Sequence, residues 1–413
     1  MENQLCKGMR DLLPDDMLRF RHIENAFRTC CLKWGYQEVR TPTLEYLHSF
    51  TATGTLTPSM LSKVYSFLDW DGWSGERVVL RPDGTIPVAR LYISNLSEQE
   101  VARLFYVTNI FAFEETGKEN RERWQCGVEL LGSAAAMVDA EIVLLAGEIL
   151  HKLGLNNSEL QLSHAGLVKA LIKELKLNPG EETKVMSKVL DGDWQTLMEA
   201  KSAHPEVDQL LSFLLNLRGE SSSFLRNAKA LSLQASQGLR ANLEDFINVT
   251  TLLDSLNCDY QVDIKAVRSF EYYTGVCFQW LSDGKKIGGG GRYDNLVPLM
   301  GGKDIPARGF ALYVDPIMKL LPSANKEGNE PEILIKAEEV SAEIAKMCFS
   351  LTQSLHNAGY TTLLDFTHQG ISNYRWTILV SEKKPFPFAI IDRKRGQQQS
   401  AASVAEVLTV LKG

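Results

Sequence analysis

An α+β fold is what this 413-residue chain predicts, and three observations carry the prediction. Runs rich in aromatic and β-branched residues come in pairs joined by Asp71-Gly72 and Asp283-Gly284, tight-turn dipeptides typical of antiparallel hairpins. From about 179 to 257 the pattern changes to leucines at spacings of three and four, which predicts helices only. Beyond a polar linker, PSANKEGN (322–329), short apolar runs alternate with helical ones, which predicts a small α/β domain over 330–413. The expected organisation is a core over residues 1–321 that contains a helical insertion at about 179–257, then the linker, then the small domain.

Each element has its own local reason. Pro14-Asp15-Asp16 opens a helix, with proline early and carboxylates in the first turn. Met17, Phe20, Ile23, Phe27, Cys30, Cys31 and Trp34 then follow one helical face, and Gly35 ends it. YQEVR (36–40) reads as a strand closed by Pro42. VYSFLDW (64–70) and RVVLR (77–81) read as a strand pair, RPDGT (81–85) as a turn, and Ile86 to Leu91 as a helix. LFYVTNIFAFE (104–114) and WQCGVELLG (124–132) predict two long strands around a polar loop at 115–123. Met137 to Leu153 is amphipathic, and LQLSHAG (160–166) predicts a strand running into a further helix. After the helical stretch, YQVDIKAVR (260–268) reads as a strand region, and RGFALYV (308–314) as the last strand of the core. In the small domain the strands are EILIKA, TTLLDF, WTILVSE and FAIIDR, with helices near Ser341–Asn357 and from Ser400. No internal repeat or low-complexity tract is evident.

Composition narrows the function classes. There is no run of about 18 apolar residues, so no membrane span is expected. The N-terminus lacks the apolar stretch of a secretory signal. Seven cysteines without a C-x-x-C pair predict neither a disulfide framework nor a zinc site, and a reducing cytoplasm fits best. A net charge of −7 argues against binding nucleic acid by bulk charge.

The densest chemistry lies around 267–295. Tyr272 to Trp280 reads as a strand, Asp283-Gly284 as its turn, and Ile287 as the start of the returning strand. Four consecutive glycines, Gly288 to Gly291, lie in that return, and glycines inside a strand mark close approach of backbone or ligand. The expected hairpin has a glycine floor and walls of Arg268, Tyr272, Tyr273, Arg292 and Tyr293. A glycine-kinked sheet corner with packed tyrosines is the alternative. Gln125, Gly127 and Glu129 alternate along one strand and so share a face, an alternation that a solvated sheet face explains equally well. Together with Asp83 and Thr85 they supply what a zwitterion with a polar ring needs: carboxylate and hydroxyl acceptors for an ammonium, an arginine fork for a carboxylate, and an aromatic wall.

RPDGT (81–85), QCGVELLG (125–132), VRSFEYYTG (267–275), GGGGRYD (288–294) and ARGFAL (307–312) together resemble the histidyl-tRNA synthetase family, in the family's order and over roughly residues 1–320. The resemblance implies a class II aminoacyl-tRNA synthetase fold, an antiparallel sheet flanked by helices. It also implies a histidine pocket lined by Asp83, Thr85, Gln125, Glu129, Arg268, Tyr272, Tyr273 and Tyr293, with Asp83 standing where the family usually has Glu.

The nucleotide side departs from the pattern. Ala112 stands where the family has an arginine for the α-phosphate, Pro316 where it has one for the γ-phosphate, and Tyr313 where a glycine makes room for the nucleotide. Such a combination resembles the regulatory subunits of ATP phosphoribosyltransferase, and LSHAGLVKALI (162–172) is similar to a segment of that subfamily, with Ser163 in place of the usual Gly. The implied function is a non-catalytic subunit that partners a short catalytic subunit in the first step of histidine biosynthesis. L-histidine is then its effector, it needs no cofactor, and it forms a homodimer within a hetero-oligomer. A divergent histidyl-tRNA synthetase is the alternative. The C-terminal domain would be a remnant of an anticodon-binding domain. From residue 329 onward nine Lys/Arg balance nine Asp/Glu, which argues against a tRNA surface.

Overall fold

The computed structural model describes residues 5–53, 61–70, 75–113, 119–199, 205–217, 219–233, 235–266, 272–322, 332–337, 339, 341–365, 374–382 and 385–412. They fall into two compact units, Met1–Ser323 and Ala324–Gly413. Both contain helices and sheets, and the second has the β-α-β crossover expected of a small α/β domain.

The first unit is built on an eight-stranded sheet in the order β1-β5-β6-β11-β10-β9-β7-β8. Its strands are β1 (Gln37–Glu38), β5 (Ala102–Phe111), β6 (Glu122–Leu131), β7 (Glu159–His164), β8 (Gln261–Val262), β9 (Val276–Ser282), β10 (Lys285–Arg292) and β11 (Ala307–Tyr313). The central pairings β5–β6, β6–β11, β11–β10, β10–β9 and β9–β7 are antiparallel, and only the two outermost are parallel. One face packs on helices. In Pro14–Lys33, Asp16 reaches back to the backbone N–H of Leu13, and Phe20, Ile23, Phe27, Cys30 and Cys31 are buried. Gly35 follows at φ +79, the left-handed conformation that favours glycine after a helix. Ala136–Lys152 covers the sheet beside it. A separate three-stranded sheet, β2-β4-β3, comprises β2 (Leu44–Tyr46), β3 (Ser66–Trp70) and β4 (Gly75–Leu80).

From Pro179 to Ser255 the described elements are all helices: Pro179–Leu190, Gln195–Glu199, Pro205–Asn216, Ser222–Leu231 and Gln237–Ser255. Asn178 caps the first through a reciprocal bond with Glu181, and Ser236 caps the last.

Three expected strand boundaries in this unit need correction. The strand expected over 260–268 shortens to β8, after which Asp263 accepts the Lys265 N–H and the chain turns. Tyr272 and Tyr273 precede their strand rather than opening it. Here Thr274 N–H donates to Arg292 O, Gly275 O accepts from Ala165, and Lys169 Nζ holds Tyr273 O at 2.7 Å, so the ladder starts only at Val276. The returning strand starts at Lys285, ahead of Ile287, because Asp283 and Gly284 both take positive φ (50 and 69) and close a two-residue turn. The expected turn at Asp71-Gly72 and the linker at 322–329 fall wholly or almost wholly outside the described residues.

The second unit is a five-stranded sheet, β13-β12-β14-β15-β16, with β12 (Ile333–Ala337), β13 (Thr362–Asp365), β14 (Trp376–Val380), β15 (Phe388–Asp392) and β16 (Gln397–Ala401). Helices Ala342–Asn357 and Val404–Lys412 cover one face. Ser400, expected in a helix, lies in β16, and the last helix starts at Val404. Among the described residues no helix is long and apolar enough to cross a membrane. All seven cysteines are free.

Candidate functional site

Directly opposed residues of antiparallel strands point to one face, so the register assigns the site. Gln125, Gly127 and Glu129 on β6 oppose Thr108, Tyr106 and Leu104 on β5, and Tyr313, Ala311 and Gly309 on β11. Gly309 in turn opposes Gly291 on β10. Glycine keeps this face low where ring and carboxylate must approach. A Cβ on Gly127 would lie 2.1 Å from the Tyr106 ring, and one on Gly309 would lie 2.1 Å from Glu129 Oε2.

Glu129 is the centre, 2% exposed. Tyr106 Oη donates to its Oε1 at 3.2 Å, and Tyr293 Oη donates to Oε2. Burial pushes its carboxyl up from 4.5 to about 8, against hydrogen bonds from Tyr293, Thr85 and Tyr106, and the charge of Asp83 adds to the rise. Burial likewise lifts Asp83 to about 6, opposed by bonds from the backbone of Ile86 and Thr85. Asp83 Oδ1 takes the Ile86 N–H at 3.1 Å and so anchors the helix Thr85–Leu91 whose first residue faces Glu129. The rings of Tyr272 and Tyr273 lie 4.5 Å apart, and Tyr293 lies 5.5 Å and 6.4 Å from them. This aromatic cluster carries a hydroxyl pair, Tyr272 Oη to Tyr273 Oη at 3.3 Å.

The structure therefore brings Asp83, Thr85, Glu129, Tyr272, Tyr273 and Tyr293 together. Gln125 stands on the same face farther along β6, 7% exposed, with its Oε1 lacking a hydrogen-bond partner. It lines a cavity of about 640 Å³ with Ile110, Arg123, Lys286, Tyr313 and Pro316. Arg268 lies outside the described residues.

Arg292 does not line the site. Period-two alternation turns it to the helix face, where it bonds Asp139 and Asp245, and Arg308 binds the same Asp139 at 2.7 Å. Asp245 continues the network to His164 Nε2 at 2.9 Å. Tyr106 was missing from the sequence-based set. Its signal was available, since an aromatic two residues after Leu104 stands opposite the glycine of the Gln125-Gly127-Glu129 face.

Beside this geometry stand the similarities to known proteins. The sequence profile of the family described as "Histidyl-tRNA synthetase" matches residues 8–317. The chain is 46% identical, over 99% of its length and 98% of the relative's, to an ATP phosphoribosyltransferase regulatory subunit of Dehalococcoides mccartyi. It is 32% identical to a histidine–tRNA ligase of Methanosarcina acetivorans, over 92% of this chain and 91% of that one. In fold it is similar to a crystal structure from Bacillus halodurans described as an ATP phosphoribosyltransferase regulatory subunit/histidyl-tRNA synthetase, with TM-score 0.78 at 24% identity, covering 92% of this chain and 98% of that one. The apo histidyl-tRNA synthetase of S. aureus superposes with TM-score 0.68 at 20% identity, covering 98% and 99%.

Proposed function

Because this chain belongs to the histidyl-tRNA synthetase family and, within it, groups with the ATP phosphoribosyltransferase regulatory subunits, we propose that it serves a separate catalytic chain as its regulatory subunit in the first step of histidine biosynthesis. It reads L-histidine at Glu129 and carries out no chemistry of its own. One contrast carries this reading. The carboxylate and tyrosine cluster converges at Glu129, whereas the two phosphate-gripping positions hold Ala112 and Pro316.

Among the described residues the nearby arginines already have partners, Arg10 in Asp315 for one. Arg308 is 2% exposed and bound to Asp139 on the opposite face of the sheet. Arg121 lies over the Phe113 ring at 4.5 Å, and Arg123 pairs with Glu119 at 2.7 Å. Tyr313 lines the cavity at the end of β11, and the Lys286 ammonium sits 6.0 Å from its ring. Loss of one preorganised donor of this kind costs about a hundredfold or more in rate. The purified chain with ATP and L-histidine should therefore show no pyrophosphate exchange. Added to the catalytic chain of ATP phosphoribosyltransferase it should raise turnover, and L-histidine should lower that turnover. Robust histidine-dependent exchange would overturn the reading.

The homodimer has support in the three-stranded sheet, where the register puts the exposed Leu44, Tyr46 and Phe67 on one face and the exposed Leu68 and Trp70 on the other. The face of Leu44, Tyr46 and Phe67 sets three large exposed apolar side chains near one another, as an interaction site does. A second copy of the chain is its proposed occupant. Replacing both Tyr46 and Phe67 with serine should turn a sedimenting dimer into a monomer at micromolar concentration. A wild-type chain that sediments as a monomer would exclude it.

A further inference from the structure

The C-terminal unit holds a second cavity, of about 410 Å³, that the reading of the core leaves unused. It is within the range of small-molecule sites, about 300–1,000 Å³. The register sets Trp376, Asp392 and Gln397 in one row across β14, β15 and β16, with Ile390 and Gln399 on the same face in the next row. Asp392 is 3% exposed. Its Oδ1 accepts the backbone N–H groups of Lys394 and Arg395 at 2.8 and 3.1 Å. Its Oδ2 is buried with no hydrogen-bond partner, and among the described residues no ion pair is made to this carboxylate. A carboxylate oxygen held out of water without a donor is costly, and a cationic N–H group offsets that cost most effectively.

The remaining walls describe the rest of the ligand. Trp376, Ile390 and Val410 are apolar, and the Trp376 ring already has the Arg375 guanidinium over it at 5.1 Å, which leaves its edge and remaining surface to the cavity. At the rim stand the guanidinium of Arg395, the amides of Gln397 and Gln399 and the hydroxyl of Thr409. Arginine is the side chain best shaped to hold a carboxylate. We infer that this cavity is a binding site for a free α-amino acid, its ammonium toward Asp392, its carboxylate toward Arg395 and its side chain along Trp376. The site is independent of the Glu129 reading, because it shares no residue or strand with it.

The test uses the full chain labelled with 5-fluorotryptophan. The seven tryptophans give up to seven fluorine signals, and Trp376→Phe assigns the relevant one. L-histidine, L-arginine and L-lysine are each titrated into the millimolar range, beside agmatine, which keeps the cation but lacks the carboxylate. The expected result is a saturable shift of the Trp376 signal by at least one of the three amino acids, with agmatine binding more weakly. Asp392→Asn should weaken that binding about tenfold or more, the scale of one charge-assisted hydrogen bond, while Glu129→Ala leaves it unchanged. Asp392 also holds the 393–395 turn, so Arg395→Gln, at an exposed rim position, decides the matter if Asp392→Asn does not fold. It should weaken amino-acid binding and leave agmatine binding alone. The inference is overturned if none of the amino acids moves the Trp376 signal saturably, if the shift survives in both variants, or if only a short oligoribonucleotide moves it.

Discussion

Glu129→Ala is expected to abolish measurable L-histidine binding to the core. Glu129 is the most deeply buried carboxylate of the cluster and the one on which Tyr106 and Tyr293 converge. An ammonium placed there is a buried charge pair with hydrogen bonds on both sides. Removing one partner of such a pair costs about 2–5 kcal/mol, roughly thirtyfold to several thousandfold in affinity. Calorimetry of wild type and variant with L-histidine measures it, and a thermal melt reports whether the two tyrosine hydroxyls left behind disturb the fold. Gln125→Ala is the graded comparison. Its Oε1 is an unsatisfied acceptor at the edge of the cluster, and the loss of one hydrogen bond is worth about 0.5–1.5 kcal/mol. Unchanged affinity in Glu129→Ala would remove the pocket assignment altogether.

How much of this was legible in the sequence depended on whether a pattern had one physical cause. Gln125-Gly127-Glu129 was legible because side-chain direction along a strand has a period of two, and the observed register with Gly309 and Gly291 follows it. The same rule assigns Arg292 to the face opposite Tyr293, yet it was grouped with the tyrosines because charged residues near a glycine run suggest a ligand. Its partners Asp139 and Asp245 sit 153 and 47 positions away in the chain, so no local pattern announces them. The end of strand β16, from Ser400, was read as helix and Gln397–Gln399 as no element, for a different reason. QQQSA is a sheet-edge strand that pairs only with β15 and buries only Ala401, so it carries no hydrophobic alternation. Strand β2, three residues long, hides its middle position behind a charge, because Glu45 is 6% exposed and paired with Arg90 at 2.7 Å. Distant ion pairs and edge strands are set by tertiary context, and the sequence marks them weakly.

The second large effect is in pH. With its carboxyl raised to about 8, Glu129 is about nine-tenths protonated in the free protein at pH 7, while Asp83, raised to about 6, is mostly ionised. An ammonium favours the ionised form of Glu129, so binding L-histidine near pH 7 should release close to one proton. Affinity should then rise with pH, by up to about tenfold per unit, between pH 6 and 8, and level off above about 8. The free protein should show the opposite trend in stability. For an acid whose pKa is raised by folding, the stabilising contribution is complete below the unfolded value of 4.5 and is lost as pH climbs through about 8. Thermal melts of the free chain should accordingly fall across that window and recover with saturating L-histidine. Titration of the ligand's own imidazole, near 6.5, overlaps the lower part of the range. Glu129→Gln separates the two, since it removes any dependence above pH 7 that belongs to Glu129. Calorimetry in two buffers of different ionisation enthalpy reads the proton directly. An identical heat in both buffers at pH 7 would mean that Glu129 keeps its proton and that the ammonium is held elsewhere.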